Sequence, residues 1–223
     1  IMKLSDNTKE ILKNFSEINP NLLIEPGKVV KTISTMKNIL ATAGVEEDFP
    51  QEIAIYDLSE FLGMLSLFNK PSFEFDEKFM TINEEGTSTK SKYYFADPSI
   101  LTVPQKSVKM PEDEVNFTLT EADLTKVKKA AAMLQLPDVS ISSKGGDIML
   151  SAIDKKNDTA NNFSIKVGTT DKTFEFHFKT EHLKMLPGDY NVYISSKLIS
   201  NFKHKTKPVE YWVALENTSK YTG

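Results

Sequence analysis

The sequence predicts an α+β fold made of two similar domains, each with antiparallel sheets and two helices. The first observation is a short unit that recurs four times: an extended apolar stretch, a Ser, Thr or Asp that can cap a helix, and an amphipathic helical run. The second is spacing, because units one and three lie 115 residues apart and units two and four 123. The third is the apolar–polar alternation between the units, which is typical of antiparallel strands. A repeat of this kind indicates two halves of similar architecture.

The four predicted helices each follow a potential capping residue. A side-chain oxygen at the cap accepts a hydrogen bond from the first helical turn, and a carboxylate three residues later strengthens the signal. These signals precede the runs Thr8–Ile18, Leu58–Phe68, Glu121–Leu134 and Glu181–Leu186. In the third run four apolar residues recur at helical spacing, and we expect them to be buried: Leu124, Val127, Ala131 and Leu134.

The predicted strands fill the segments between the helices. In the first half they are residues 21–25, 28–34, 51–56, 72–75, 78–83 and 90–96. In the second half they are residues 115–119, 139–143, 147–153, 162–168, 173–179, 190–195 and 209–215. Turn-forming sequences separate them, among them Lys144-Gly145-Gly146-Asp147.

The domain boundary is predicted in a proline-rich segment. Pro98, Pro104 and Pro111 all fall within residues 97–114, which indicates an extended connector. The chain then divides into an N-terminal domain (2–96), the connector (97–114), a C-terminal domain (115–216) and a tail (217–223). Three apolar residues of the connector are expected to dock onto the body: Ile100, Leu101 and Val103.

Composition limits the function classes. There is no cysteine, which agrees with a reducing compartment and removes disulfides, thiolate zinc sites and cysteine nucleophiles. No apolar run approaches the roughly 18 residues of a membrane span, and no signal peptide is evident, so we expect a cytosolic chain. All 27 basic residues are Lys. Without Arg, base-specific DNA recognition is not expected, whereas non-specific phosphate contact is compatible with Lys.

Several stretches, in order along the whole chain, resemble the sliding clamps of T-even-type bacteriophages, which are DNA polymerase processivity factors. The most specific is Ile55-Tyr56-Asp57-Leu58 with Phe61-Leu62-Gly63 and Leu65-Ser66-Leu67. The others are Met2-Lys3-Leu4-Ser5, Leu12-Lys13-Asn14-Phe15, Ala96-Asp97-Pro98-Ser99, Met185-Leu186-Pro187-Gly188-Asp189-Tyr190 and Val213-Ala214-Leu215-Glu216. Residues 70–92 and 195–207 depart from the family pattern.

The resemblance implies a DNA-clamp fold that assembles as a homotrimeric ring around double-stranded DNA. It also implies non-sequence-specific DNA contact, no enzymatic activity, no cofactor and no metal. The implied partners are the phage DNA polymerase, an ATPase clamp loader and a sigma-like factor of late transcription, and the implied location is the cytoplasm of the infected bacterial host.

In such a ring, lysines on the inner helices would attract the DNA backbone without reading its sequence. At about 100° per residue, Lys9 and Lys13 point away from the apolar side of the first helix, and Lys129 points outward on the third. The predicted channel residues are Lys3, Lys9, Lys13, Lys126, Lys128, Lys129 and Lys184. The residues alone leave an ordinary solvated face equally open, and the acids Asp6, Glu10 and Glu17 dilute the charge.

Two further sites are expected from the resemblance. A hydrophobic partner peptide would enter a pocket formed by Leu101, Val103, Pro104, Trp212, Val213 and Leu215. Core packing of Val213 and Leu215 is the alternative. Sheet edges carrying Tyr93, Tyr94, Phe95 and Phe163 would join protomers, with ordinary core packing again the alternative.

Catalytic sites find no support in the sequence. The three histidines have no metal-ligand spacing; we expect His177 to face solvent and His182 to lie in a helical turn. Asp154–Asp158 lacks the Gly and final Glu of a calcium loop and predicts a hairpin turn. Gly145-Gly146 is not followed by a phosphate-binding helix. Two alternatives remain open: an adaptor or structural phage protein that does not encircle DNA, and an enzyme of unrecognised type.

Overall fold

The computed structural model describes all of residues 1–223, which form two compact units, Ile1–Lys106 and Ser107–Gly223. The division falls within the segment predicted as the connector. Each unit combines antiparallel sheet with helix and has its own apolar core. This is the α+β architecture that the repeat and the alternation predict.

The first unit contains two α-helices, α1 (Asp6–Ile18) and α2 (Leu58–Leu65). Both begin at the predicted caps: Thr8 N–H donates to Ser5 Oγ at 3.1 Å, and Glu60 N–H donates to Asp57 Oδ1 at 3.0 Å. The helix α2 ends three residues earlier than predicted, and Leu67 beyond it is 77% exposed. No packed surface covers this end of the helix, so nothing stabilises a further helical turn.

Seven strands form the sheets of the first unit. They are β1 (Leu22–Ile24), β2 (Gly27–Ile33), β3 (Ile39–Phe49), β4 (Ile53–Ile55), β5 (Pro71–Phe75), β6 (Phe79–Glu84) and β7 (Lys90–Tyr94). Strand β1 pairs with β4, β2 with β3, and β5, β6 and β7 form a sheet in that order, all antiparallel. Strand β3 is absent from the prediction, whereas the other six fall on predicted segments. A 3-10 turn, Pro98–Ile100, follows β7.

The core of the first unit lies between its helices and its strands. One face of α1 is fully enclosed, with Ile11, Leu12 and Phe15 at 0% exposure. Phe61 of α2 packs against Phe73 of β5, with ring centroids 6.5 Å apart. Because the apolar residues of each helix occupy one side, the opposite sides stay on the surface, and these carry the polar residues.

The second unit contains one α-helix and seven strands. The helix is α3 (Glu121–Met133), and the strands are β8 (Val115–Leu119), β9 (Asp138–Ile153), β10 (Phe163–Lys179), β11 (Tyr190–Ser195), β12 (Ile199–His204), β13 (Val209–Ala214) and β14 (Lys220–Tyr221). Strands β13, β12, β11 and β8 are neighbours in that order, and β14, β10 and β9 form a second antiparallel sheet. Strands β12 and β14 are not among the predicted segments.

Helix α3 is capped from two sides. Asp123 N–H donates to Thr120 Oγ1 at 3.2 Å, as the sequence predicts, and Glu121 N–H donates to Asp189 Oδ1 at 2.8 Å. Its buried face holds Leu124, Val127 and Ala131. The predicted burial of Leu134 is wrong, because this residue ends the helix and is 39% exposed. Leu136, two residues later, is buried in its place.

The predicted turn at Lys144–Asp147 is wrong. These residues lie inside β9, which pairs with β10 across this region as one long hairpin. Gly145 has φ +77°, and the register of β10 shifts between Lys166 and Gly168 and between Thr170 and Thr173. The glycine pair therefore bends a continuous ribbon, as bulges do, and does not end a strand. The hairpin turn predicted at Asp154–Asp158 does join β9 to β10.

The fourth predicted helix, Glu181–Leu186, is also wrong. Only a 3-10 turn, Thr180–His182, forms there, and Thr180 Oγ1 donates to Leu136 O at 3.2 Å and does not cap a helix. Pro187 disfavours helical geometry at Leu186. Two buried tyrosines satisfy Leu186 instead: its N–H donates to Tyr211 Oη at 3.1 Å, and Tyr190 Oη donates to its carbonyl at 2.5 Å.

None of the three α-helices has the length and apolar character needed to traverse a bilayer.

Candidate nucleic-acid interface

The lysines predicted on α1 occupy its outer side. Lys13 is exposed, on the side of the helix opposite the buried Leu12 and Phe15. Lys9 lies on the same side, with its ammonium 3.5 Å from the carboxylate of Asp6. An exposed pair of this kind leaves both charges well hydrated, so Lys9 still contributes to the local potential.

Lys3 is compensated within its own unit. Its ammonium donates to Glu85 Oε2 at 2.8 Å, and both side chains are about half exposed (56% and 57%). This hydrogen bond, and then the charge of Lys3, hold the pKa of Glu85 below its usual range. Glu85 therefore competes directly with a phosphate for Lys3.

On α3, Lys126 and Lys129 are exposed and Lys128 is half-buried. Lys126 and Lys129 lie on the sides of the helix away from Leu124 and Val127, whereas Lys128, four residues after Leu124, borders the buried face. Lys184 is half-buried in the irregular segment after the 3-10 turn. Burial lowers the pKa of neighbouring His182, with the charges of Lys179 and Lys184 acting in the same direction against Glu181 and Glu216. The positive charge of this region at neutral pH therefore comes from lysine.

The first unit has a second positively charged feature, between its two helices. A cleft of about 740 Å³ lies between the outer sides of α1 and α2, and its lining includes Lys9, Lys13 and Lys70. Lys70 is outside the predicted set because it sits in a loop, where helical periodicity gives no information about direction. Its position five residues after the end of α2 and directly before Pro71 is the available signal.

The residues predicted for a partner-peptide pocket are found in both units, and each group is described within its own. In the first unit Leu101 is 8% exposed, Val103 and Pro104 are half-buried, and Ile100 is 60% exposed. Docking of this segment is confirmed for Leu101 and wrong for Ile100. Asn19 Nδ2 donates to Thr102 O at 2.9 Å, which holds the segment against α1.

In the second unit the alternation of β13 separates the three predicted pocket residues. Val213 and Leu215 are buried in the core, at 0% and 7% exposure. Trp212 lies on the opposite face and is half-buried, opposite Asn201 of β12. Trp212 is thus the member of this group that a partner could reach without unfolding the sheet.

The residues predicted at a subunit interface lie at or next to sheet edges. Strand β7 is the outer strand of its sheet, with β6 on one side only. Tyr94 is 65% exposed, whereas Tyr93 packs on Phe61 with ring centroids 5.1 Å apart, and burial raises its pKa to about 12. Phe95, just beyond the strand, is half-buried.

Strand β10 offers a second edge in the other unit. Residues Phe163–Thr170 pair with β9 on one side, and β14 pairs with β10 only at Phe174 and Glu175. Phe163 is half-buried at the start of the strand. Edges of this kind present backbone N–H and C=O groups to a further strand.

His177 was expected to face solvent, and this is wrong: it is 6% exposed. Its ring nitrogens lie 2.9 Å from Thr218 Oγ1 and 2.9 Å from Glu175 Oε1, and its backbone N–H donates to Ser219 Oγ. The segment after β13 covers it, which the alternation within β10 does not reveal. The structure contains no group of three or more His, Asp or Glu side chains that could hold a metal ion.

Known proteins identify the family. A family model described as "gp45 sliding clamp, C terminal" matches residues 116–217, and one described as "DNA polymerase processivity factor" matches residues 5–103. The sliding clamp of Vibrio phage KVP40 is 36% identical over 222 residues, covering 96% of this chain and 99% of that protein. The chain belongs to the sliding-clamp family. Its role is that of a phage DNA polymerase processivity factor.

Further sliding clamps align along their whole length. That of Enterobacteria phage T4 is 29% identical over 232 residues, and that of Escherichia phage RB69 is 28% identical over 234; both alignments cover 99% of each chain. The similarity of this clamp to its relatives therefore extends over the whole chain, as the resemblance in the sequence indicates.

Solved structures agree on the clamp fold at much lower identity. The PCNA2–PCNA3 complex of Sulfolobus tokodaii matches with a TM-score of 0.68 at 12% identity, covering 96% of this chain and 99% of that one. Proliferating Cellular Nuclear Antigen of Entamoeba histolytica matches with a TM-score of 0.68 at 13% identity, covering 94% of each chain. At such identity the likeness concerns the fold alone.

Proposed function

We propose that three copies of this clamp close into a ring around duplex DNA and tether the replicative polymerase to its template. The observation that carries the proposal is the end-to-end match to phage sliding clamps. The two lysine-bearing helices, α1 in one unit and α3 in the other, add support. Retention on DNA comes from enclosure, so no base-specific contact is required.

The DNA-facing lysines in this proposal are Lys3, Lys9, Lys13, Lys126, Lys128, Lys129 and Lys184. Each is a mobile point charge that attracts phosphates non-specifically, and attraction of this kind falls steeply with salt. Lys13, Lys126 and Lys129 are the most exposed of the helical lysines, which favours them as the main contributors. Lys3, which Glu85 compensates, contributes less than these three.

The remaining parts of the proposal concern partners. The polymerase and an ATP-driven clamp loader would bind through short hydrophobic peptides at the surface around Trp212 of the second unit. A sigma-like factor of late transcription is a further partner. The protein itself catalyses no reaction in this proposal, and it acts in the cytoplasm of the infected bacterium.

The experiment that tests the proposal is a charge-reversal comparison. Exchange of Lys9, Lys13, Lys126 and Lys129 for Glu should shorten the clamp-dependent products of the polymerase at moderate salt, because the helices would then repel phosphates. The control exchanges Lys28, Lys31, Lys203 and Lys205, which are exposed on strands and a turn, and alters net charge equally.

Ring enclosure is tested separately by DNA topology. Loaded wild-type protein should stay on nicked circular DNA and leave linear DNA by its ends. Equal retention on both forms, or unaltered product lengths with an assembled charge-reversed variant, would contradict the proposal.

A further inference from the structure

The cleft between α1 and α2 has walls of opposite character. On α1, Lys9, Lys13 and Ser16 follow one another at helical spacing along the wall. On α2, the facing wall carries Ser59, Gly63 and Ser66 at the same spacing, together with the apolar Leu62, Leu65 and Phe68. A cationic wall thus faces an uncharged wall of small and apolar residues.

The charge of the cleft is entirely positive. Lys70 stands beside the end of α2 and joins Lys9 and Lys13, and no carboxylate lines the cleft. Three carboxylates lie just outside it. Asp6 is 3.5 Å from Lys9, and Glu84 accepts the backbone N–H of Asn69. Glu85, which Lys3 holds, has its pKa lowered in part by the charge of Lys70. Three ammonium groups around one concavity attract a polyanion more strongly than the same groups on a flat surface.

Space in the cleft is maintained by Gly63. Glycine in the interior of a helix lowers helix stability, and here the packing of the unit does not require it, because a Cβ at Gly63 would meet no atom within 4 Å. Because Gly63 has no side chain, the surface of α2 at this position leaves more room in the cleft. Ser16 Oγ donates to Lys13 O and Ser66 Oγ donates to Gly63 O, so these hydroxyls are turned to their own helices and the lysines supply the attraction.

We propose that this cleft holds a phosphodiester group of the DNA backbone, with Lys70 as a third phosphate-binding cation beside Lys9 and Lys13. The inference rests on the proposed function, since DNA must lie against these helices. The second unit has a cleft beside α3 and the 3-10 turn, but carboxylates line it together with lysines: Asp138, Asp154, Glu181 and Glu216. Each protomer therefore offers one such cleft.

The first test compares Lys70→Gln with Lys37→Gln. Both lysines are exposed and both have φ 58°, so the two variants share the charge change and the backbone strain. Binding of a short fluorescent duplex is measured by anisotropy over a series of salt concentrations. The association constant falls with salt, so log K plotted against log salt has a negative slope. Lys70→Gln should reduce the magnitude of this slope by about one for each cleft that engages the duplex, and Lys37→Gln should leave it unchanged.

The second test uses the free space at Gly63. Gly63→Ala should bind duplex DNA as the wild type does, whereas Gly63→Glu places a carboxylate among the three lysines and should weaken binding several-fold at low salt. Backbone amide shifts of residues 63, 66 and 70 in the ¹⁵N-labelled protein give the location directly. They should move with duplex DNA, and inorganic phosphate at matched ionic strength should move them less.

The outcomes separate this inference from the proposed function. If Lys70→Gln and Gly63→Glu behave like their controls while reversal of Lys9, Lys13, Lys126 and Lys129 weakens binding, the cleft assignment is wrong and the clamp proposal stands. If inorganic phosphate moves the amide shifts and duplex DNA does not, the cleft binds free anions only and the inference is overturned. If the wild type shows no salt-dependent binding of the duplex, the cleft assignment is overturned, whereas the proposed function is decided by the comparison of circular and linear DNA.

Discussion

Gly188 and His204 lie so close together that no side chain fits between them: a Cβ on Gly188 would be 2.1 Å from Nε2 of His204. The glycine also has φ +142°, which L-residues rarely adopt. His204 Nδ1 accepts from the backbone N–H groups of Thr206 and Lys207 at 3.2 and 2.9 Å, which places the ring proton on Nε2, 3.0 Å from Pro187 O. The imidazole thus joins two turns of the second unit.

The contact between Gly188 and His204 lies next to the cap of α3, the helix that is proposed to face DNA. Asp189 follows Gly188 directly and accepts the N–H of Glu121 at the start of α3. A displaced Gly188 turn would therefore loosen the cap of the helix that carries Lys126 and Lys129.

Gly188→Ala should lower the free energy of unfolding by about 3 kcal/mol, because backbone strain and steric overlap add. Gly86→Ala is the matched control, since Gly86 has φ +77° but no atom near its Cβ position, and it should lose only about 1 kcal/mol. Urea unfolding at one fixed protomer concentration measures both. Equal losses would show that the overlap with His204 is relieved without cost.

Glu47 gives a prediction for acid pH. Burial of this carboxylate raises its pKa, but hydrogen bonds from Ser5 N–H and Thr8 Oγ1, both 2.5 Å, outweigh the burial and hold the pKa below its usual range. Stability from a carboxyl group whose folded pKa is depressed is present above the unfolded pKa of about 4.5 and is lost as the pH falls through the folded pKa.

Glu47→Gln should therefore lower the free energy of unfolding by about 2 kcal/mol at pH 7, because an amide cannot accept both hydrogen bonds as a carboxylate does. The difference from wild type should shrink as the pH falls below 4.5. Glu46→Gln, at the exposed neighbouring position, is the control and should alter stability little at any pH. A difference for Glu47→Gln that stays constant down to pH 3 would mean that the carboxylate does not titrate with unfolding.

The sequence analysis did not predict strands β3 and β12, and the reason lies in the residues that these strands bury. Strand β3 alternates in burial, but its inward positions include the small Ala41 and Ala43 and the charged Glu47, so its hydrophobic pattern is weak. Strand β12 buries Ser200 and Asn201, whose side chains donate to carbonyls of β13. A count of apolar residues does not detect buried polar residues whose hydrogen bonds are made to the neighbouring strand.

The elements predicted correctly are those whose determinants are local. Ser5, Asp57 and Thr120 each cap a helix within their own first turn, so the sequence contains the whole interaction. The fourth helix fails because Tyr190 and Tyr211, distant from the first turn, satisfy Leu186 in a non-helical form. Lys70 was missed as a site residue for a similar reason, since the cleft it lines exists only when α1 and α2 are packed together.

Trp212 provides a direct test of partner docking, because it is the only tryptophan in the chain. Binding of the C-terminal peptide of the cognate polymerase should shift its emission, since an apolar side chain would replace water against the half-exposed indole. Trp212→Ala should weaken binding by about 2 kcal/mol, or about thirtyfold in Kd. A scrambled peptide is the control. A peptide that binds by calorimetry and leaves the emission unaltered would show that docking occurs elsewhere.

The sheet edges lead to a prediction for assembly. Tyr94 is exposed on the edge strand β7, and its ring lies against Phe79 of the same sheet in a tilted arrangement, with ring centroids 5.5 Å apart. Phe163 begins the unpaired edge of β10. Aspartate at either position should leave each unit folded, because neither side chain belongs to the fully buried core, and should place a charge in the strand-to-strand contact between protomers.

Tyr94→Asp and Phe163→Asp should therefore convert the proposed trimer into monomers at micromolar concentration, as measured by light scattering, with unaltered circular dichroism. Tyr56→Asp is the control, because Tyr56 is 60% exposed but lies outside both edges, and this variant should stay trimeric. The double variant should be no more dissociated than either single variant if the two edges form one contact. If the protein remains a trimer with both substitutions, the protomers join through another surface and not through these two strand edges.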